Sequence, residues 1–221
     1  HVVSSKTLFG SCRVFIEDIL PKFGVTSTLV NGYDNEAWKE AMQPNTSVVF
    51  LESPANPTLD IVDIKYVCDV AHENGALVVV DNVFATPLLQ KPIEYGADVV
   101  MYSSTKHIDG QGRCLGGCIL TSNKIMDEII SPYIRHTGPN LSPFNAWVML
   151  KSMETMDLRI DRMCLNAAKV ADGLYDLGVF ESVNYPFRAD FRQHELAVKQ
   201  MTAGGSVITV FVPEGREQAF K

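Results

Sequence analysis

Lys106 stands just past the apolar run "DVVMYS", between hydroxyl residues and the glycine string of "HIDGQGRCLGG". A solvated ammonium gains little in such a place, and a buried one is costly unless paired. Asp81 closes another apolar run, "LVVVD". Alone, Asp81 reads as a loop acid or helix cap, and Lys106 alone reads as a solvated surface lysine. Together, at the carboxyl ends of successive expected strands, they point to one ligand, because open α/β sheets bind ligands outside the carboxyl ends of their strands.

The elements that must position them follow from periodicity. "SVVFLE" (47–52) and "LVVVD" (77–81) are short continuous apolar runs of the kind found in strands buried on both faces. Between them "VDIKYVCDVAHEN" places Ile64, Val67, Cys68 and Ala71 on one helical face, and Gly75 stands where a helix ends in a left-handed residue. A further short helix leads into "DVVMYS" (98–103). Strand, helix, strand at this spacing is the signature of a parallel sheet. After Gly117, "GCILT" is a short strand and "KIMDEIISPYIRH" a helix that Pro132 is expected to interrupt. A long helical pattern runs from Pro143 to about Leu177, with Ser142 as its cap, and connects two domains. "VFESVNY", "HELAVKQM" and "GSVITVFV" then read as strand, helix and strand, the start of an α+β domain.

A lysine, an acid and hydroxyls suit pyridoxal phosphate. Lysine condenses with the aldehyde, the acid keeps the pyridine nitrogen protonated, and hydroxyls hydrogen-bond the phosphate. The residue types alone admit other ligands. "YSSTKHIDGQGRCLGG" resembles the lysine motif of the Cys/Met-metabolism family of pyridoxal-phosphate enzymes. "ESPANPTLDIVDI" (52–64) resembles its strand-end motif, and "DNVFATPLLQKPIEYGADVVMYS" its aspartate segment. "TLFGSC", "SPFNAWVMLKSMETMDLRI" and "QHELAVKQM" also match, so the resemblance runs through essentially the whole chain in order.

The resemblance implies an aspartate-aminotransferase-like (fold type I) α/β large domain with a mostly parallel sheet, over residues 1–157. Residues 158–221 would begin a smaller α+β domain. It implies that Lys106 holds pyridoxal 5'-phosphate as a Schiff base and then serves as base at the substrate Cα. Asp81 would pair with the pyridinium nitrogen, Asn56 would contact the phenolic oxygen, Ser103 and Thr105 would bind phosphate, and Phe9 would stack on the ring. It also implies an amino-acid substrate and a homotetramer built from two dimers.

Within the family, "KHIDGQGRCLGG" and "LFGSC" are similar to the O-succinylhomoserine sulfhydrylases. The implied reaction joins O-succinylhomoserine and sulfide to give homocysteine and succinate. Lys106 removes the Cα proton, loss of a Cβ proton expels the γ-carboxylate, and hydrosulfide adds to the β,γ-unsaturated species. Cystathionine γ-synthase and the methionine or cystathionine γ-lyases are the alternatives. Two positions depart from the broad pattern: Phe9 stands where most members carry tyrosine, and Val83 where most carry threonine. The family pattern also places a phosphate-clamping glycine loop before His1, an arm from a neighbouring subunit, and a substrate-binding arginine beyond Lys221. The ends, "HVVSSKTLFG" and "VITVFVPEGREQAFK", therefore read as those of a piece of a longer protein.

Composition narrows the function classes. The chain has 221 residues, of which 46% are hydrophobic and 20% charged, as in folded soluble proteins. A net charge of -7 argues against nucleic acid as a partner. No apolar run reaches membrane-spanning length, and the first residues lack the basic and apolar regions of a signal peptide. Five cysteines at irregular spacing fit reduced thiols in a cytoplasmic protein better than disulfides, and no metal site is expected. "YSSTK" also matches the tyrosine–lysine pair of short-chain dehydrogenases, but that pair needs a helix, and a strand is expected here. A non-enzymatic assembly module with an inherited fold is the other rival, opposed by the complete lysine, aspartate and hydroxyl set. His107, Arg135, His136 and the glycines after Lys106 read as structural or surface residues. Arg113 reads as an anion contact or a solvated loop arginine. Tyr33, Trp38 and Trp147 read as packing.

Phe9 has no hydroxyl with which to protonate a departing thiolate. A thiol has a pKa near 8.5 and a carboxylic acid near 4.3, so a carboxylate leaves with less help. Phe9→Tyr is therefore expected to leave turnover of an O-acylhomoserine roughly unchanged in steady-state assays. Rapid cleavage of methionine or cystathionine by the unaltered enzyme would contradict this account of Phe9.

Overall fold

The computed structural model describes residues 1–213 together with Gly215 and Ala219. In chain order the strands are β1 (Val2–Ser5), β2 (Ser27–Val30), β3 (Val48–Glu52), β4 (Leu77–Asp81), β5 (Val99–Ser103), β6 (Gly117–Thr121), β7 (Ser182–Asn184) and β8 (Thr209–Phe211). The α-helices are α1 (Gly10–Val14), α2 (Asn35–Glu40), α3 (Ile64–Glu73), α4 (Thr86–Leu89), α5 (Asn123–Ile125), α6 (Ser131–Thr137), α7 (Pro143–Met153), α8 (Met156–Asp176) and α9 (His194–Gln200). Strands β2-β1-β3-β4-β5-β6 form one sheet, parallel from β2 to β5, with β6 antiparallel at the edge. This is the α/β architecture expected. A second sheet pairs β7 with β8 antiparallel.

Register decides what each face carries. Leu51 is paired with Val80 and Val80 with Val100; all three are fully buried, in one core with Val67, Cys68 and Ala71 of α3. Side chains alternate along a strand, so the next row, Glu52, Asp81 and Met101, lies on the opposite face. The helix α3 begins at Asp63, whose carboxylate accepts from the Tyr66 N–H at 3.1 Å, and closes before Gly75 at φ 74°. Trp38 packs as expected, fully buried with its indole N–H donating to the Gly32 carbonyl at 3.0 Å. Trp147 does not. It is 56% exposed on α7, beside Phe144 with ring centroids 6.1 Å apart.

Pro132 does not interrupt its helix. The segment continues from α5 through a π-helical turn (Met126–Ile130) into α6, which ends at Gly138 with φ 77°. Proline lacks an N–H, and here that gap falls in the first turn of α6, just after the wider turn. The long helical pattern divides into α7 and α8 at Glu154–Thr155, and Ser142 caps α7 by accepting from the Asn145 N–H at 3.2 Å.

A second core joins Ile61, Ala85 and Leu89 to Met156, Ile160 and Cys164 of α8 and to Ala197 and Met201. Two glutamines hold the extended segment that leads into α3. Gln193 accepts from the Ile61 N–H at 2.9 Å and donates to the Ile61 carbonyl. Gln200, at the end of α9, accepts from the Ile64 N–H and donates to the Val62 carbonyl, both at 2.9 Å. Each side-chain amide thus substitutes for a strand neighbour. Gln200→Ala leaves a buried donor and a buried acceptor unpaired, at about 1–3 kcal/mol for such a group. It is expected to lower unfolding free energy by about 2 kcal/mol in urea titrations, with the m-value unchanged.

Candidate active site

The sheet delivers two carboxylates side by side. Glu52 ends β3 and Asp81 ends β4; they are register partners and both are buried. Phe9 and Asn56 converge on the first of them: Glu52 Oε2 accepts from the Phe9 N–H at 2.6 Å and Oε1 from the Asn56 N–H at 3.0 Å. Glu52 thereby ties the turn before α1 to the loop after β3. That loop has cis peptides at Ser53–Pro54 and Asn56–Pro57. Asp81 accepts from the Val83 N–H at 3.0 Å.

Burial raises both acids. The Glu52 carboxyl is pushed up to about 8, first by burial and then by the neighbouring Asp81 charge, against the pull of the Phe9 and Asn56 N–H groups. Asp81 is raised to about 6 by burial, opposed by the Val83 N–H. The Cys12 thiol, facing the same acids, is pushed up to about 11 by burial, Asp81 and Glu52. No cation among the described residues offsets the charge of Asp81.

A buried hydrogen-bond network fixes the chain after Asp81. Asn82 Nδ2 donates to the carbonyls of Thr86 (3.1 Å) and Gln90 (2.9 Å) and lies 2.9 Å from the Tyr102 hydroxyl. Gln90 Nε2 in turn donates to the Asn82 Oδ1 at 2.8 Å and the Ser53 carbonyl at 2.7 Å. Thr86 sits at φ 61°, a conformation unfavourable for a β-branched residue that its surroundings must impose.

On the neighbouring strand, Ser103 ends β5 and lies on the same face as Met101, the register partner of Asp81. Lys106 follows three residues later in a turn closed by its N–H to the Ser103 carbonyl at 3.0 Å, and it is exposed. The structure therefore gathers Phe9 and Asn56 on Glu52, beside Asp81, with Ser103 and Lys106 at and beyond the end of the next strand. Thr105 is the exception in detail. Its hydroxyl donates to the Gly116 carbonyl at 3.3 Å and accepts from the Gly116 N–H at 3.0 Å, so its one hydrogen is already engaged within the chain.

Residues read from sequence as bystanders hold the turn. Arg113 is exposed to solvent yet already engaged within the chain: its Nε reaches Asp109 Oδ1 at 3.1 Å, its backbone N–H reaches Asp109 Oδ2 at 2.6 Å, and it donates to the Ser152 hydroxyl. His107 Nε2 lies 2.8 Å from the Ser206 hydroxyl, and burial lowers its pKa. Glu52 was missed, although the signal was there: "VVFLE" ends in an acid just as "LVVVD" does.

These features suit pyridoxal phosphate. A buried carboxylate with one hydrogen bond and no cation matches a protonated pyridine nitrogen, and an exposed lysine on the adjacent strand end matches its aldehyde. The model of the Cys/Met metabolism PLP-dependent enzyme family matches residues 1–221. The chain belongs to this family. It is 46% identical to an O-succinylhomoserine sulfhydrylase of Mycobacterium tuberculosis over 209 residues, 95% of the chain and 52% of the relative. It is 39% identical to an L-methionine gamma-lyase of Treponema denticola, over 98% of the chain and 55% of the relative. The crystal structure of metB from Corynebacterium glutamicum superposes with a TM-score of 0.97 at 35% identity, covering 100% of the chain and 57% of that structure. The chain spans about half the length of the curated relatives it matches.

A raised carboxyl pKa means that the folded chain holds a proton the unfolded chain has released. That contribution to stability is fully present below the ordinary carboxyl range and is lost as pH rises through the folded value, about 8 for Glu52. Glu52→Gln removes it. In thermal melts of the cofactor-free protein, the variant is expected to gain on the wild type steadily from about pH 5 to about pH 9. A difference that does not change with pH would show that Glu52 is ionised throughout.

Proposed function

We propose that this chain is part of a pyridoxal-phosphate-dependent enzyme that carries out γ-replacement on an O-acylhomoserine, with O-succinylhomoserine and sulfide as the preferred pair. The observation that carries the cofactor reading is the buried, cation-free Asp81 one strand away from the exposed Lys106. The choice of substrate is supported by the relatives named O-succinylhomoserine sulfhydrylase, at 46% and 40% identity, and by the phenylalanine at position 9. A γ-lyase is the second reading, favoured by relatives of that name at 38–40% identity.

When bound, the cofactor supplies an electron sink that stabilises negative charge at the substrate Cα. Asp81 would hold the proton on the ring nitrogen, and burial without a competing cation makes it free to do so. Lys106 would carry the cofactor and move the Cα proton. Ser103 would donate to the phosphate, Asn56 would contact the phenolic oxygen, and Phe9 would cover the ring face. Thr105 would join the phosphate contacts only by turning its hydroxyl hydrogen away from the Gly116 carbonyl. Glu52 would fix Phe9 and Asn56 relative to Asp81.

The working form on this reading is a cytoplasmic homotetramer of two dimers, with a large domain to about residue 157 and a smaller one beginning thereafter. Phe144, Trp147 and Leu150 recur every three residues along α7 and are 69%, 56% and 57% exposed, an apolar stripe suited to a subunit contact. No helix among the described residues is long and apolar enough to cross a membrane.

Reduction with borohydride fixes the cofactor onto the lysine that holds it. Peptide mapping of the reduced full-length protein is expected to find the pyridoxyl group on Lys106, and an adduct on another lysine would overturn the site. Lys106→Ala is expected to reduce kcat by about 10²–10⁴-fold or more, the usual scale for loss of a positioned proton-transfer group.

A further inference from the structure

Arg159, on the first turns of α8, reaches across to the turn that carries Lys106. Its Nη1 donates to the His107 carbonyl at 3.0 Å, and Nη2 to the Ser152 carbonyl at 3.0 Å and the Ile108 carbonyl at 3.4 Å. Its Nε donates to the Thr155 hydroxyl at 3.2 Å. One guanidinium thus ties the two residues immediately after Lys106 to the junction of α7 and α8. Gly110 makes the approach possible. A Cβ built there would lie 1.8 Å from Arg159 Nη1, and the Gly110 φ of 69° already favours glycine. The Gly110 N–H also donates to the Lys106 carbonyl at 2.6 Å. The lysine turn is therefore folded back on itself and then pinned by the arginine through a gap that only glycine leaves open.

We propose that Arg159 is a positioning residue for Lys106, acting through the His107 and Ile108 carbonyls, and that Gly110 exists to admit its guanidinium. This rests on Lys106 being the residue that holds the cofactor. A lysine ammonium cannot reproduce the planar fork that spans several carbonyls, so the geometry requires arginine rather than a charge alone. Helix α8 continues into the second half of the chain, and Arg159 makes the lysine turn answer to where that helix lies.

The test uses the full-length protein loaded with pyridoxal phosphate and three variants: Arg159→Ala, Arg159→Lys and Gly110→Ala. The readouts are the cofactor absorbance spectrum, the fraction of Lys106 trapped by borohydride, kcat and KM measured separately, and the melting temperature. Arg159→Ala and Gly110→Ala are expected to shift the spectrum alike, lower the trapped fraction and reduce kcat about tenfold or more with KM little changed, since misplacing a reacting group costs rate. Arg159→Lys should fall between. The double variant Gly110→Ala/Arg159→Ala should be no worse than Gly110→Ala alone, because once the alanine is present the Arg159 contact is already lost. A lower melting temperature with unchanged spectrum, trapping and kcat would make Arg159 merely structural and overturn the proposal, as would additive losses in the double variant. Wild-type protein with no adduct on Lys106 would instead overturn the underlying cofactor assignment.

Discussion

Parallel pairing at a fixed register places Glu52 beside Asp81 and Asp81 beside Met101, one row beyond Leu51, Val80 and Val100. Since the side-chain period of a strand is two, a slip of one residue in β3 or β4 would drive a carboxylate into the aliphatic core and carry a valine or leucine out to the opposite face. The apolar row and the acidic row therefore define each other. Burial that holds the first in place leaves the second at the carboxyl end of the sheet, largely dehydrated and short of positive charge.

Much of this was legible because it rests on local pattern. Strands β3, β4 and β5 are continuous apolar runs, α3 shows its buried face at helical spacing, and Ser142 announces the start of α7. Asp81 and Lys106 were visible as polar residues closing such runs. What escaped has one physical origin: contacts between residues distant in sequence. Arg113 reads as a loose loop residue until Ser152 is brought to it, and Gly110 reads as a turn glycine until Arg159 fills the space beside it. Glu52 closes its own apolar run just as Asp81 does, but its role shows only once the sheet sets the two acids side by side. Pro132 misled for the opposite reason. The local rule was right about the missing N–H but silent on the π-helical turn that precedes it.

The two ends of the candidate site are held by different means. Around Glu52, Asn82 and Gln90 the restraint is a dense set of hydrogen bonds within one layer of loops. Around Lys106 it is a set of long-range ties, from Arg113 to Ser152, from Arg159 to His107, and from His107 to Ser206. The first arrangement fixes the two carboxylates within their own layer. The second links the Lys106 turn to segments some fifty to one hundred residues further along the chain.

The apolar stripe on α7 has a thermodynamic consequence. Phe144, Trp147 and Leu150 stay in contact with water as long as the chain stands alone, so folding the monomer leaves that hydrophobic gain unrealised. Association with another surface realises it, and only in the folded form is the stripe assembled on one face. Where that surface is a second copy of the chain, as proposed, stability becomes a function of concentration: by mass action, dilution then lowers the melting temperature even though no contact within the subunit has changed.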